Sequence, residues 1–74
     1  MTKRQELIEK YRETIGFVSE NNPNEDGSPV DMGVAFDMIK ANTEAKPENR
    51  LYKMPGTWTE EDYAAFLKDC EELG

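Results

Sequence analysis

The sequence predicts a small all-α domain of three helices, at about residues 3–20, 29–42 and 60–73, within a single unit spanning 1–74. An irregular, aromatic-containing connection is expected between the second and third helices. Three observations point to this class. Apolar side chains recur at three-and-four spacing in three separate stretches. Each stretch opens on a capping pattern. The middle one is apolar around more than one stripe, as a helix lying between two others must be.

In the first stretch Leu7, Ile8, Tyr11, Ile15 and Val18 fall on one helical face, and Phe17 widens it. Thr2 stands where a cap belongs, and Gln5, three residues on, completes a capping-box pattern. Glu6 and Lys10 support each other on the polar side. Gly16 weakens the helix locally by up to about 1 kcal/mol.

Residues 21–28, N-N-P-N-E-D-G-S, read as a loop. Pro23 prevents smooth continuation of the first helix, and Asp26-Gly27 is a turn pair. Ser28 is then the expected cap, with Pro29 at the first helical position and Asp31 completing the pair. Val30, Met32, Val34, Ala35, Phe36, Met38 and Ile39 follow. This set covers more than one stripe, so the second helix either touches both others or leaves apolar surface exposed.

Residues 43–57 fit a simple bundle least well. Pro47 and Pro55 flank R-L-Y-K-M, which is too short for a stable helix and too irregular for a strand. Leu51, Tyr52, Met54 and the nearby Trp58 place four large side chains in a connection that would normally be polar. Three outcomes are open. They fold back over the helices, one or two of them stand out as binding anchors, or the extended backbone pairs with another chain's strand edge.

The last stretch carries the clearest local instructions. Thr59 and Asp62 form an approximate capping box, and Trp58 and Tyr63 are spaced for a hydrophobic staple. Tyr63, Phe66, Leu67 and Cys70 share one face. Glu60, Glu61 and Asp62 sit in the first turn, where exposed amides favour negative charge. Gly74 is suitable as a terminator.

Two short stretches resemble known families. Asn22-x-Asn24-x-Asp26-Gly27-Ser28 is similar to the first half of an EF-hand calcium loop over seven residues. The second half departs from that pattern, because Pro29 and Gly33 stand where it needs other residues, including the bidentate glutamate. Trp58-Thr59-Glu60-Glu61-Asp62, preceded by Gly56, resembles the opening of a Myb/SANT repeat over about seven residues. Such a repeat continues through two further helices and ends on a basic recognition helix, whereas this helix is acidic. Shared capping chemistry accounts for the likeness, and it implies no DNA-binding role.

Composition narrows the functions. Nine basic residues against sixteen acidic leave a net charge of −7, unevenly spread. Residues 1–15 are net +1, so the remainder is −8, and Lys68 alone opposes six carboxylates in 57–74. Most of such a surface repels a nucleic-acid backbone, so direct nucleic-acid binding is not expected. A basic protein surface is the better electrostatic match. The absence of histidine excludes His-based catalysis or ligation. One cysteine allows no internal disulfide, and Cys70 beside Phe66 and Leu67 reads as a small core residue. No glycine-rich phosphate loop or activated nucleophile is present. The abundant carboxylates read as a solvated face rather than a catalytic pair. No cofactor, metal or enzymatic activity is expected. No apolar run is long enough for a membrane span and no secretory signal pattern opens the sequence, so a cytoplasmic location is expected.

The expected function is therefore binding to another protein, as an inhibitor, an antitoxin-like partner, or a phage- or plasmid-encoded modulator. DNA mimicry by the acidic surface is a more specific form of this expectation. Tyr52, Met54 and Trp58 are the expected anchors, rimmed by Glu60, Glu61, Asp62, Glu71 and Glu72. The alternative is a structural domain that uses surplus apolar surface to form a homodimer.

Overall fold

The computed structural model describes residues 2–73, and all its regular elements are helical. They are α1 (Lys3–Lys10), α2 (Arg12–Asn21), α3 (Met32–Glu44) and α4 (Glu60–Glu71), with a 3-10 turn at Pro47–Asn49 before α4. No strand occurs among the described residues.

The starts of α1 and α4 follow local chemistry. Thr2 Oγ1 accepts from the Gln5 amide at 3.1 Å while Gln5 Oε1 accepts from the Thr2 amide at 3.0 Å. Thr59 and Asp62 repeat the exchange, at 3.3 and 2.8 Å. The staple is present too. The rings of Trp58 and Tyr63 meet edge to face, with centroids 5.1 Å apart.

The expected boundaries need correction in three respects. The helix anticipated over 3–20 is two helices, divided at Tyr11, whose backbone (φ −105°, ψ 21°) leaves helical geometry. Hydrogen bonds continue on either side, from Tyr11 N to Leu7 O and from Ile15 N to Tyr11 O. The bend lets Leu7 of α1 and Ile15 and Val18 of α2 enter one core. Gly16, expected to weaken the helix locally, lies inside α2 without breaking it.

The second correction concerns the start of α3, which is Met32 and not residue 29. Its cap is Asp31, whose carboxylate accepts from Gly33 N at 3.0 Å. Ser28 is already used in the turn, where its amide and hydroxyl both donate to Asp26 Oδ1. Gly27 takes the left-handed conformation that closes this turn (φ 88°). Val30 is held in the preceding loop by Ser19 of α2. The Val30 amide donates to Ser19 O, and the Ser19 hydroxyl donates to Val30 O.

The third correction lies at the helix ends. α3 extends to Glu44 rather than stopping at 42, and α4 ends at Glu71 rather than 73. Glu72 and Leu73 close the last turn through three-residue hydrogen bonds to Asp69 O and Cys70 O. The anticipated terminator Gly74 lies outside the described residues.

α3 is central and packs against α1, α2 and α4. Its buried residues Ala35, Phe36 and Ile39 join Leu7, Ile15, Val18, Phe66 and Cys70 in one core. Phe36 and Phe66 are fully buried, with ring centroids 5.3 Å apart. Burial of each contributes about 2–3 kcal/mol by apolar transfer. The basic side chains of α1 tie it to its neighbours. Arg4 grips Asp37 through both guanidinium nitrogens (2.9 and 3.2 Å) and donates to Gly33 O. Lys10 reaches Asp69 at 2.9 Å, and Lys3 reaches Glu72 at 3.2 Å.

Candidate protein-binding surface

The connection between α3 and α4 is irregular in secondary structure but closely held. Asn42, near the C-terminal end of α3, keeps only 1% of its surface exposed. Its Oδ1 accepts from the amides of Leu51 and Tyr52, and its Nδ2 donates to Tyr52 O. Asn22 does the same for the next residue, accepting from Lys53 N at 3.0 Å and donating to Lys53 O at 3.1 Å. Two side-chain amides thus supply the partners that a neighbouring strand would supply elsewhere. The three N–H groups from Leu51 to Lys53 are all satisfied within the chain. None remains for a partner strand to accept from, which weighs against strand addition here.

Arg50 fixes the start of the segment. Its guanidinium lies 3.7 Å from the centroid of the Tyr63 ring, and its Nε donates to Asn42 O. The two terminal nitrogens grip Glu60 at 2.8 and 3.1 Å. That pairing holds the Glu60 carboxyl below its ordinary range.

This scaffold sorts the four large side chains. Trp58 is half-buried against the core, and its indole N–H donates to Thr14 Oγ1 at 3.0 Å. Its ring also meets those of Tyr11 and Phe66 edge to face. Met54 packs on the same core from a half-buried position. Tyr52 is half-buried as well. Leu51 points away with 84% of its surface exposed, compared with 49% for Val34 and 36% for Phe17.

The acidic candidates are similarly divided. Glu60 is engaged by Arg50, Asp62 by the Thr59 cap, and Glu72 by Lys3. Glu61 and Glu71 are exposed, with no ion pair among the described residues. Asp69 belongs to the fold. The Tyr11 hydroxyl and Lys10 both donate to it and hold its carboxyl below the usual aspartate range. Burial, followed by the Asp69 bond, pushes the Tyr11 phenol upward. Burial also raises the Cys70 thiol, which disfavours the reactive thiolate.

A concave region lies where α1, α2 and the start of α3 meet. One open concavity of about 570 Å³ is lined by Ile8, Glu9, Arg12, Gly16 and Met32. Another of about 550 Å³ shares Arg12 and Gly16 with it and extends past Glu13, Phe17 and Glu20. No cluster of three or more acidic, cysteine or histidine side chains is arranged to hold a metal among the described residues. In the calcium-like loop, Asp26 instead accepts from Ser28, and Asn24 donates to the Ser28 hydroxyl. No described helix is long and apolar enough to cross a membrane.

Sequence reasoning counted Leu51 among the four large side chains of the connection but named only Tyr52, Met54 and Trp58 as anchors, and it gave Asn42, Asn22 and Arg50 no part in holding the segment. For Asn42 a signal exists, since it follows Ile39 by three residues and Ala35 by seven on the buried stripe of α3. A polar residue on such a stripe must find internal partners. No family model matches the chain, and no curated protein or solved structure matches it.

Proposed function

We propose that the protein is a small, non-catalytic acidic module that binds another protein, with Leu51 and Tyr52 at the centre of the contact. The observation carrying this reading is Leu51, exposed at 84% on a backbone whose amide is held by the buried side chain of Asn42. An apolar anchor on a pre-ordered segment loses little conformational freedom on docking. Met54 and Trp58 pack on the core, while Glu61 and Glu71 supply acidic groups on the surface. The net charge of −7 favours a partner with a basic surface and raises its association rate. Roles of this class include inhibitor, antitoxin-like partner and phage-encoded modulator.

The test is affinity capture from the native host on immobilised wild-type protein and on Leu51→Asp. The same partner should be retained by the wild type and lost by the variant, with the two proteins melting at the same temperature. Equal retention by both would reject the anchor. A second reading, self-association, rests on Val34, which stands 49% exposed on the central helix. Light scattering over a concentration series separates the two, because a monomer at high concentration excludes an obligate homodimer.

A further inference from the structure

Gly16 has no evident purpose in the fold. It lies inside α2, it is not in the left-handed region, and a Cβ built on it would meet nothing within 4 Å. Alanine would make a better helix there. Yet Gly16 is the residue shared, with Arg12, by the two concavities on the α1–α2 face. Its missing side chain bares the helix backbone where they join.

The surroundings combine apolar side chains with an excess of carboxylates over one cation. Ile8 and Met32 are half-buried and offer apolar surface on one side of Gly16, and Phe17 is 36% exposed on the other. Glu9, Glu13 and Glu20 line the same concavities against the single cation Arg12. None of these three carboxylates forms an ion pair among the described residues. At 1.5 Å per residue, Arg12 to Glu20 alone spans about 12 Å, more than two turns of an opposing helix.

We infer that this groove is a docking site for a basic amphipathic helix of a partner protein. The partner crosses α2 at Gly16, where a bare backbone allows close approach, as small residues do at tight helix crossings. Its apolar stripe meets Ile8, Phe17 and Met32, and flanking lysine or arginine side chains meet Glu9, Glu13 and Glu20. Charge complementarity selects this occupant over an acidic helix or a second copy of this acidic chain.

The probe is a synthetic helical peptide of about 16 residues with an alanine–leucine stripe flanked by lysines, titrated into the ¹⁵N-labelled protein. Saturable amide shifts should centre on Ile8, Gly16, Phe17 and Met32, and a matched peptide with glutamate in place of lysine should bind at least about tenfold more weakly. Gly16→Ala should raise the melting temperature by about 3–6 °C while weakening the lysine peptide about tenfold. Glu13→Lys should weaken the peptide without lowering the melting temperature. Absence of saturable binding would overturn the inference, as would shifts centred on Leu51 or α4. So would a Gly16→Ala protein that is less stable or binds equally well, or groove shifts that follow protein concentration alone. The Leu51→Asp capture does not involve this face, so either reading can fail while the other stands.

Discussion

Asn42 and Tyr52 exchange two hydrogen bonds, from Asn42 Nδ2 to Tyr52 O at 3.0 Å and from Tyr52 N to Asn42 Oδ1 at 3.3 Å. The pairing imitates one rung of a sheet, built from a side chain on a helix and the backbone of a connection. Asn42→Ala leaves the amides of Leu51 and Tyr52 and the Tyr52 carbonyl without these partners. Such loss costs about 2–4 kcal/mol. In a chain of this size the melting temperature should fall by roughly 10–25 °C, measured by circular dichroism. A fall of less than about 3 °C would show that the segment holds itself.

Trp58 can be tested in two steps. Trp58→Phe retains an aromatic ring but removes the indole donor to Thr14, a loss of about 1 kcal/mol. Trp58→Ala also removes the edge-to-face contacts with Tyr11, Tyr63 and Phe66, and should cost about 3–4 kcal/mol. Denaturant titration gives both values. Equal stability of the alanine variant and the wild type would return Trp58 to the list of surface anchors.

Arg50 should be far less tolerant of replacement than Glu60. Glu60→Gln removes charge from an exposed side chain, whereas Arg50→Lys removes the stack on Tyr63, the bond to Asn42 O and the two-pronged grip together. Thermal melts should therefore rank wild type above Glu60→Gln, with Arg50→Lys clearly lowest. The reverse order would mean that the ion pair, and not the stack, secures the connection.

Stability should pass through a broad plateau with pH. Asp69, Glu60 and Asp26 have folded-state pKa values below their ordinary ones, so their contribution is present above about pH 4–4.5 and is lost on further acidification. Tyr11, Tyr63 and Cys70 are raised, so theirs is present below their unfolded values, near pH 8.5 for cysteine and 10 for tyrosine, and is lost above them. Tyr11→Phe should flatten both limbs, because it removes the phenol and the bond that depresses Asp69. Unchanged limbs in a pH series of denaturant melts would separate this pair from the pH response.

Much of the chemistry linking residues up to five apart was legible in the sequence. Thr2 with Gln5, Thr59 with Asp62, and Trp58 with Tyr63 meet as their spacing implies. The apolar surplus of α3 was legible too, and it reflects contact with three other helices. Most features hidden from sequence reading depend on distant partners, the start of α3 being a local exception. Tyr11 sits on a continuous apolar stripe, and its bend becomes intelligible only with Asp69 and Phe66 beside it. Ser28 has the composition of a cap, but the nearer Asp26 uses its donors. Leu51 and Tyr52 differ little as letters, while Asn42 holds the backbone so that one side chain is half-covered and the other stands clear.

The way α1 is attached has a consequence for how the molecule opens. α1 buries one residue, Leu7, packs Ile8 partly against the core, and is otherwise fastened by ion pairs of Lys3, Arg4 and Lys10 to Glu72, Asp37 and Asp69. Salt screens such fastenings while leaving Leu7 nearly untouched. Its amides should therefore exchange with solvent ahead of those of α3, and sooner still at high ionic strength. Because Ile8 and Glu9 form one bank of the groove at Gly16, release of α1 also dismantles that bank. A ligand seated there would lower the equilibrium constant for release by the same factor by which the release weakens the ligand, so hydrogen exchange that reports this opening equilibrium in α1 becomes a remote gauge of groove occupancy.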